Sequence, residues 1–232
     1  MSSKQFPTLS LEQSFFDAGK RFVIGIDEVG RGALFGPVAV GIAILTAERH
    51  SGSSSWPSRL ADSKLISQPV REALFEPVAN WVWAYSVGMS SAAEIDEIGI
   101  IASLALAARR GIGLLPVEVR AQIAQAPETA QAILDGSHNW LGDALGPVPS
   151  MVRTKADRDC VSVAAASVLS KVQRDNQMIE LATQQPSLAP YGIAGNKGYS
   201  SAAHIAALKT LGPTKLHRKT WLTKILADDS LF

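Results

Sequence analysis

The segment from residue 22 to residue 46 constrains the fold of this chain more than any other. FVIGIDE (22–28) and VAVGIAILT (38–46) are apolar runs of strand length, and the glycine-rich GRGALFGP lies between them. Two such runs around a short connection rich in glycine predict a β-hairpin. The first run ends in Asp27 and Glu28, although carboxylates are rarely buried in a strand. The hairpin therefore predicts both a sheet and a chemically active strand end.

The remaining sequence alternates short apolar runs with helical patterns. Such alternation predicts an α/β domain with a central mixed sheet flanked by helices, followed by a small helical extension. We place the domain at residues 1–185 and the extension at 186–232. Further strands are predicted at 81–89, 132–136 and 149–153, and helices after Ser67, over 90–110 up to Gly111 and Gly113, over 158–184, and on either side of Gly212-Pro213, while residues 112–130 fit no single pattern.

The composition narrows the class of protein. Hydrophobic residues make up 47% of the 232 residues, which is enough to build a core. Cys160 is the only cysteine, which excludes an intrachain disulfide and, with four scattered histidines, a zinc-type cluster. The amino terminus lacks the apolar region of a signal peptide, and the longest apolar stretch, 33–45, is too short to span a bilayer. We expect a cytoplasmic monomer with no membrane association.

The net charge of +1 conceals an uneven distribution along the chain. Residues 1–180 carry 16 Lys/Arg and 19 Asp/Glu, whereas residues 181–227 carry six Lys/Arg and no acid. An acidic body with a basic carboxyl-terminal segment fits a protein that holds metal ions beside a polyanion. A solvated basic surface without a partner explains the charge equally well.

Four acids stand where apolar patterns end or are interrupted. Asp27 and Glu28 end the first strand, Asp135 ends the run before residue 136, and Asp175 lies on the long helix. A glycosidase needs two carboxyl groups, whereas a two-metal phosphodiester hydrolase needs three or four because hard divalent cations prefer oxygen ligands. Acids from three segments favour the hydrolase. Taken singly, Asp135 before Gly136 is also typical of a turn, and Asp175 of an ion pair with Arg174 or Lys171 on a solvated helix face.

At this point the sequence resembles a known family. GIDEVGRGALFGPVAVGIAIL resembles the opening of type 2 ribonuclease H (ribonuclease HII), and six further segments resemble that family in the same order. These are ADSKLIS, EIDEIGI, ILDG, TKADRDCVSVAAASVLSKVQRD, NKGYSSAAH and GPTKLHRKTW. The resemblance covers nearly the whole chain and implies a ribonuclease-H-like fold. It also implies an endonuclease that hydrolyses the RNA strand of RNA–DNA hybrids and cuts 5′ of single ribonucleotides in duplex DNA, leaving a 3′-hydroxyl and a 5′-phosphate.

The resemblance also assigns roles to individual residues. It implies that Asp27, Glu28, Asp135 and Asp175 are the catalytic, metal-binding carboxylates for two Mg²⁺ or Mn²⁺ ions. It implies that the backbone of the Gly-Arg-Gly turn meets the 2′-hydroxyl of the substrate, which both donates and accepts hydrogen bonds. Tyr199 resembles the tyrosine that senses the ribonucleotide–DNA junction. The substrate-binding residues implied in this way are Gly30, Arg31, Gly32, Lys64, Ser167, Lys171 and Tyr199.

Three further residues match the family near the active centre or the duplex. Lys155 lies before the long helix. His204 and Arg218 lie in the extension at 186–232, called the tail below, where the resemblance suggests that they help to bind the duplex. Lys171 has a simpler alternative role, which is to neutralise the acid cluster. Removal of misincorporated ribonucleotides from DNA is the implied biological role.

The sequence departs from the family pattern in two segments. Asn196, Ser200 and Ser201 stand where the family often has histidine, glycine and threonine, and Gly99 stands where asparagine is common. A non-catalytic hybrid-binding protein and another two-metal nuclease or transposase-type enzyme of the same fold are the alternatives. No convincing clamp-binding peptide is present, although the terminal ILADDSLF is worth testing against a replication clamp.

Overall fold

A five-stranded mixed sheet forms the centre of the protein, of which the computed structural model describes residues 6–53 and 55–227. The strand order is β3-β2-β1-β4-β5. The first three strands pair antiparallel, and β4 and β5 run parallel to β1, which confirms the predicted mixed sheet. The strands are β1 (Phe22–Val29), β2 (Val38–Thr46), β3 (Ala84–Ser90), β4 (Ala130–Asp135) and β5 (Ser150–Arg153).

Helices cover both faces of this sheet. Short 3₁₀ turns at Pro127–Thr129 and Pro186–Tyr191 complete the connections. The helices are α1 (Ser10–Asp17), α2 (Ala47–His50), α3 (Gln68–Trp81), α4 (Ala92–Leu114), α5 (Val117–Gln125), α6 (Ala156–Asp159), α7 (Val161–Gln184), α8 (Ile193–Asn196), α9 (Ala202–Leu211) and α10 (Lys219–Ala227).

Helix α4 differs from its sequence-based prediction. It continues through Gly111 and Gly113 to Leu114, so the prediction that these glycines end it is wrong. The reason is tertiary, because a Cβ at Gly88 of β3 would lie 2.2 Å from the nitrogen of Gly111, and the missing side chains let helix and strand touch. Gly99 adopts a positive φ of 78° and bends the helix internally.

No single helix in the described part of the chain is long and apolar enough to cross a membrane. Helices α4 and α5 meet that criterion of length and composition only when they are taken together, and they are bent by 106° at their junction.

Helix α7 lies unusually close to the sheet. A Cβ at Gly25 of β1 would be 2.2 Å from the carbonyl carbon of Ser162, and one at Gly41 of β2 would be 2.3 Å from the carbonyl oxygen of Ala166. Two glycines therefore let the helix backbone rest on β1 and β2. The approach brings the middle of α7 beside the end of β1, where the acids lie.

The carboxyl-terminal segment packs under the connection between β1 and β2. Leu34 and Phe35 of that connection share a hydrophobic cluster with Tyr191, Leu208 and Leu222. The predicted boundary at residue 185 stays a prediction. The clamp-binding hypothesis concerns residues 225–232, of which 228–232 lie outside the described residues.

Candidate active site

Adjacent parallel strands place two of the predicted acids side by side. Ile26 of β1 pairs with Leu134 of β4, so Asp27 and Asp135 follow at the same level of the sheet. Asp27 is only 3% exposed. Asp27 and Glu28 lie in a cleft of about 410 Å³, whereas Asp135 and Asp175 are not among the residues that line it. The cleft is lined by Asp27, Glu28, Gly30, Arg31, Gly32, Ser63, Lys64, Lys171 and Tyr199, together with Val29.

The surroundings of Asp27 oppose its ionisation. Burial raises the pKa of this carboxyl well above its usual range, and the charges of Glu28 and Asp135 raise it further. A hydrogen bond from Ser167 of α7 and the charge of Lys64 act in the opposite direction. A buried carboxylate beside like charges must hold a proton or bind a cation. This position therefore has the electrostatics of a metal ligand.

Glu28 has one occupied and one free carboxylate oxygen. Its Oε1 lies 3.2 Å from Nη1 of Arg31, whereas its Oε2 is buried without a hydrogen-bond partner among the described residues. Burial raises the pKa of Glu28, and the hydrogen bond and charge of Arg31 oppose that rise. A buried, unpartnered oxygen is costly unless a ligand completes it. Hard divalent cations prefer such oxygens, so Oε2 of Glu28 fits a ligand of Mg²⁺ or Mn²⁺.

The other two predicted acids carry protein partners. Asp135 Oδ1 accepts a hydrogen bond of 2.7 Å from the backbone N–H of Ala156, and Asp175 Oδ1 accepts one of 2.8 Å from Nζ of Lys171. Over residues 6–53 and 55–227, no three acidic, histidine or cysteine side chains are gathered closely enough to hold a metal ion. Lys171 is therefore paired with an acid, and its role as a substrate contact or as a neutralising charge stays a prediction.

Lys64 sits inside a network of acids that the sequence did not single out. Its backbone N–H donates to Oδ1 of the buried Asp62 over 2.8 Å, and Oδ2 of Asp62 accepts from Arg158 at 3.3 Å. Burial lowers the pKa of Lys64, but the charges of Asp27, Asp157 and Asp62 outweigh it and raise the pKa. Lys64 is thereby kept as a cation. Asp62 and Asp157 lie in the motifs ADSKLIS and TKADRDCVSVAAASVLSKVQRD, but the sequence alone did not assign either acid to the site.

Asp157 is a strongly perturbed acid of this network. Burial, followed by the charges of Asp135 and Asp62, raises its pKa to about 7. Ser63, between Asp62 and Lys64, lies 2.9 Å by its hydroxyl from the hydroxyl of Ser167. The loop that carries Lys64 is therefore tied to helix α7 beside Asp27.

Tyr199 forms the opposite wall of the cleft. Its half-buried ring lies under two cations, with Lys171 Nζ 5.2 Å and the Arg174 guanidinium carbon 5.4 Å from the ring centroid. Its carbonyl accepts from Nδ1 of His204 at 2.9 Å, which leaves Nε2 of His204 to accept from Nε2 of His217 at 3.0 Å. The backbone position of Tyr199 is thus set by a chain of two buried histidines.

Two tail residues that the resemblance links to duplex binding are buried. His204 and Arg218 are both 0% exposed, so any help that they give to duplex binding would act through other residues, and this suggestion stays a prediction. Lys155, by contrast, is exposed and has a left-handed backbone with φ of 62°. Two departures from the family pattern have local functions: Asn196 Oδ1 accepts from Gly198 N at 2.8 Å, and Ser201 Oγ accepts from His204 N at 3.2 Å at the start of α9.

Comparison with known proteins agrees with this geometry. The family model described as Ribonuclease HII matches residues 24–224. The chain belongs to the ribonuclease HII family. It is 43% identical over 218 residues to Ribonuclease HII of Streptomyces avermitilis, covering 93% of this chain and 83% of the relative. It is 40% identical over 227 residues to Ribonuclease HII of Paracoccus denitrificans, covering 97% of each chain.

Solved structures show the same fold. The ribonuclease H2 of Pyrococcus horikoshii aligns with a TM-score of 0.62 at 23% identity, over 88% of this chain and 97% of that one. Bst-RNase HIII in complex with Mn²⁺ aligns with a TM-score of 0.59 at 20% identity, over 86% and 65% of the two chains. The fold is therefore the predicted ribonuclease-H-like α/β fold. As a ribonuclease HII, the protein is an endonuclease that hydrolyses RNA in RNA–DNA hybrids, and its family is metal-dependent.

Proposed function

We propose that this ribonuclease HII cuts 5′ of single ribonucleotides embedded in duplex DNA, leaving a 3′-hydroxyl and a 5′-phosphate. Its role would be to remove misincorporated ribonucleotides. One observation carries the proposal: Asp27 and Glu28, at the end of β1 beside the strand end that carries Asp135, share a cleft with the glycine turn and Tyr199. Cutting chemistry and a surface for sugar recognition are thereby adjacent.

The proposed metal ligands are Asp27, Glu28, Asp135 and Asp175. Bound Mg²⁺ or Mn²⁺ ions, two in number, would supply charge neutralisation at the scissile phosphate and an activated water. The free Oε2 of Glu28 and the raised pKa values of Asp27 and Glu28 support this assignment, because a cation can replace the protons that these groups favour. The Mn²⁺ complex of Bst-RNase HIII makes manganese a reasonable candidate alongside magnesium.

The proposed substrate contacts lie along the cleft. At Gly32 an added Cβ would meet nothing within 4 Å, so the backbone there is open to a sugar. The Arg31 side chain is 48% exposed and can reach a phosphate. Lys64 and Lys171 add positive charge near the acids, and Ser167 acts on Asp27 through its hydrogen bond. A duplex that contains one ribonucleotide would thus meet fixed donors at its sugar and cations at its backbone.

The localisation, oligomeric state and protein partners of the enzyme remain predictions. We place it in the cytoplasm as a monomer. An RNase HII of Archaeoglobus fulgidus has been solved in a complex with PCNA, with a TM-score of 0.62 to this chain at 24% identity. That structure makes binding of ILADDSLF to a replication clamp worth a direct pull-down with the purified clamp.

Asp27→Asn provides the test of the proposed chemistry. We expect cleavage of a duplex with one ribonucleotide to fall by at least about a hundredfold with Mg²⁺ or Mn²⁺, because one metal ligand is lost. The variant should remain folded without metal, since the substitution removes a buried carboxyl whose ionisation is opposed. Thermal unfolding measured with and without metal should show stabilisation of the wild type only.

Asp143→Asn is the matched control. Asp143 is 86% exposed and pairs with Arg109 away from the cleft, so this variant should retain cleavage and metal stabilisation. Full activity of Asp27→Asn would refute the metal assignment. Cleavage of an all-DNA duplex by the wild type would favour a different two-metal nuclease, and binding without cleavage at any metal concentration would favour a non-catalytic protein.

A further inference from the structure

Two fully buried arginines lie beneath the turn that follows β1. Arg174 of α7 and Arg218, which precedes α10, are each 0% exposed. Neither forms an ion pair within the described part of the chain, and both donate instead to main-chain carbonyls. Burying a cation without a counter-ion is costly. This cost indicates that the bonds from the two arginines to main-chain carbonyls have a structural role.

Arg218 binds three carbonyls of a single connection. Its Nη2 donates to the carbonyl of Gly30 and its Nη1 to that of Arg31, each over 2.7 Å, and its Nε donates to that of Gly36 over 3.2 Å. These bonds span both ends of the connection between β1 and β2. The planar guanidinium therefore fixes the beginning of the connection relative to its end.

Arg174 binds the same connection from helix α7. Its Nε donates to the carbonyl of Pro37 over 3.0 Å and its Nη2 to that of Phe35 over 3.3 Å. Its Nη1 donates over 2.9 Å to the carbonyl of Lys197, two residues before Tyr199. With three carbonyls on Arg218 and two on Arg174, five of the eight residues from 30 to 37 are held through their carbonyls.

The shape of the turn is matched to the arginines. A Cβ at Gly30 would lie 2.1 Å from Nε of Arg174, so only glycine leaves room for that side chain. The guanidinium of Arg174 also lies 5.4 Å from the ring centroid of Tyr199. One side chain therefore contacts both walls of the substrate cleft.

The surroundings of the two guanidinium groups oppose their positive charge. This indicates that the arginines have a structural role and do not contact phosphate. Burial, followed by the neighbouring charge of Arg174, lowers the pKa of Arg218 to about 9. The guanidinium faces carbonyls and the Trp221 ring, whose centroid is 5.0 Å away. The cost of this burial is offset by carbonyl bonds to the turn.

We propose that Arg174 and Arg218 are positioning residues, which hold the Gly30–Gly32 turn and the Tyr199 segment as one rigid unit against the acids. The inference rests on the proposed function in so far as the turn contacts the ribonucleotide. A displacement of a bound group by about 1 Å can cost about a hundredfold in rate. We call this pair of arginines the arginine clamp. Its loss should therefore slow cleavage, although neither arginine touches the substrate.

The rate of trypsin cleavage measures the integrity of the arginine clamp independently of enzyme activity. The bond between Arg31 and Gly32 is a tryptic site, but the carbonyl of Arg31 is bound to Arg218 and must be released before cleavage. We expect Arg218→Met to be cut at this bond at least about tenfold faster than the wild type, as followed by mass spectrometry. Arg218→Lys keeps the charge but not the fork, so it should give an intermediate rate and serves if the methionine variant fails to fold.

Steady-state kinetics tests whether the clamp matters for the reaction. With saturating metal and a duplex containing one ribonucleotide, kcat/KM of Arg218→Met should fall at least about tenfold while its thermal unfolding remains cooperative. Arg49→Met is the matched control, because Arg49 also donates to carbonyls, those of Asn80 and Val82, but beside Thr46 at the far end of β1. The control should change neither tryptic cleavage at Arg31 nor kcat/KM.

Two results would overturn the proposal. One is unchanged tryptic cleavage at Arg31 in a folded Arg218 variant, and the other is faster cleavage there with unchanged kcat/KM. If wild type and Arg49→Met both fail to cut the junction substrate, the proposed function is refuted instead. The tryptic comparison then still decides whether the arginines hold the turn.

Discussion

A methyl group at Gly30 would enter space that Arg174 already occupies. The added Cβ would lie 2.1 Å from Nε of Arg174, and the backbone of Gly30 has a φ of 78°, which L-residues adopt with strain. Gly32, two residues later, has open space around its Cα and no positive φ. The two glycines of the Gly-Arg-Gly motif therefore have different physical reasons to be glycine.

Gly30→Ala should destabilise the protein, whereas Gly32→Ala should not. We expect the free energy of unfolding to fall by about 2–3 kcal/mol for Gly30→Ala, from backbone strain and displacement of Arg174. Gly32→Ala should change it by less than about 1 kcal/mol. Urea unfolding of both variants measures the difference. Equal destabilisation by the two substitutions would contradict the close packing of Gly30 against Arg174.

At the scale of elements, the tail supports the cleft through hydrogen bonds between helices and loops. Thr214 N–H donates to Nδ1 of His217 over 3.0 Å, so His217 carries its proton on Nε2 and donates to His204. His204 in turn donates from Nδ1 to the carbonyl of Tyr199. Both imidazoles must be neutral for this chain to form, since a protonated ring has no acceptor.

Burial lowers the pKa of His204, and burial followed by the charge of His204 lowers the pKa of His217 to about 4, from an ordinary value of 6.5. Above the unfolded value both states are neutral and the full stability is present. As the pH falls below 6.5, only the unfolded chain gains these protons, so stability is lost until the folded pKa is reached. The buried carboxyls, with raised pKa values, act in the opposite direction.

A comparison of variants isolates the histidine contribution. Between about pH 7 and about pH 5, His217→Gln should lose about 1–2 kcal/mol less unfolding free energy than the wild type does. His138→Gln, at an exposed position, should follow the wild type. Urea titrations at the two pH values give the slopes. Parallel slopes for wild type and His217→Gln would show that His217 does not titrate as its burial implies.

For the molecule as a whole, the basic segment is smaller than its sequence suggests. Of the six cations in residues 181–227, Lys197 and Arg218 are buried against carbonyls. Lys209, Lys215, Lys219 and Lys224 are exposed. Only exposed cations can release counterions from a duplex, so the electrostatic term belongs to this smaller set.

Replacing Lys215, Lys219 and Lys224 together by glutamine should reduce the salt dependence of duplex binding. Each lysine that contacts a phosphate contributes about 0.9 to the slope of log K against log salt, so the slope should fall by at least about one unit. Affinities in the Asp27→Asn background avoid cleavage during the measurement. Arg109→Gln, which removes an exposed cation paired with Asp143, should leave the slope unchanged. An unchanged slope in the triple variant would exclude these three lysines from the nucleic-acid interface.

The sequence by itself determined the hairpin, the helix over most of 158–184, the mixed α/β sheet and the family. These are properties of local pattern and of ordered motifs. Only the tertiary structure decided that Arg218 holds Gly30, that Asp62 and Asp157 surround Lys64, and that α4 continues past Gly111. The Arg218 bonds join residues 182 to 188 positions apart, and no periodicity in a sequence encodes such a pairing. It follows instead from how α7 and the tail close around the connection after β1, because buried donors and carbonyls must find each other once water is excluded.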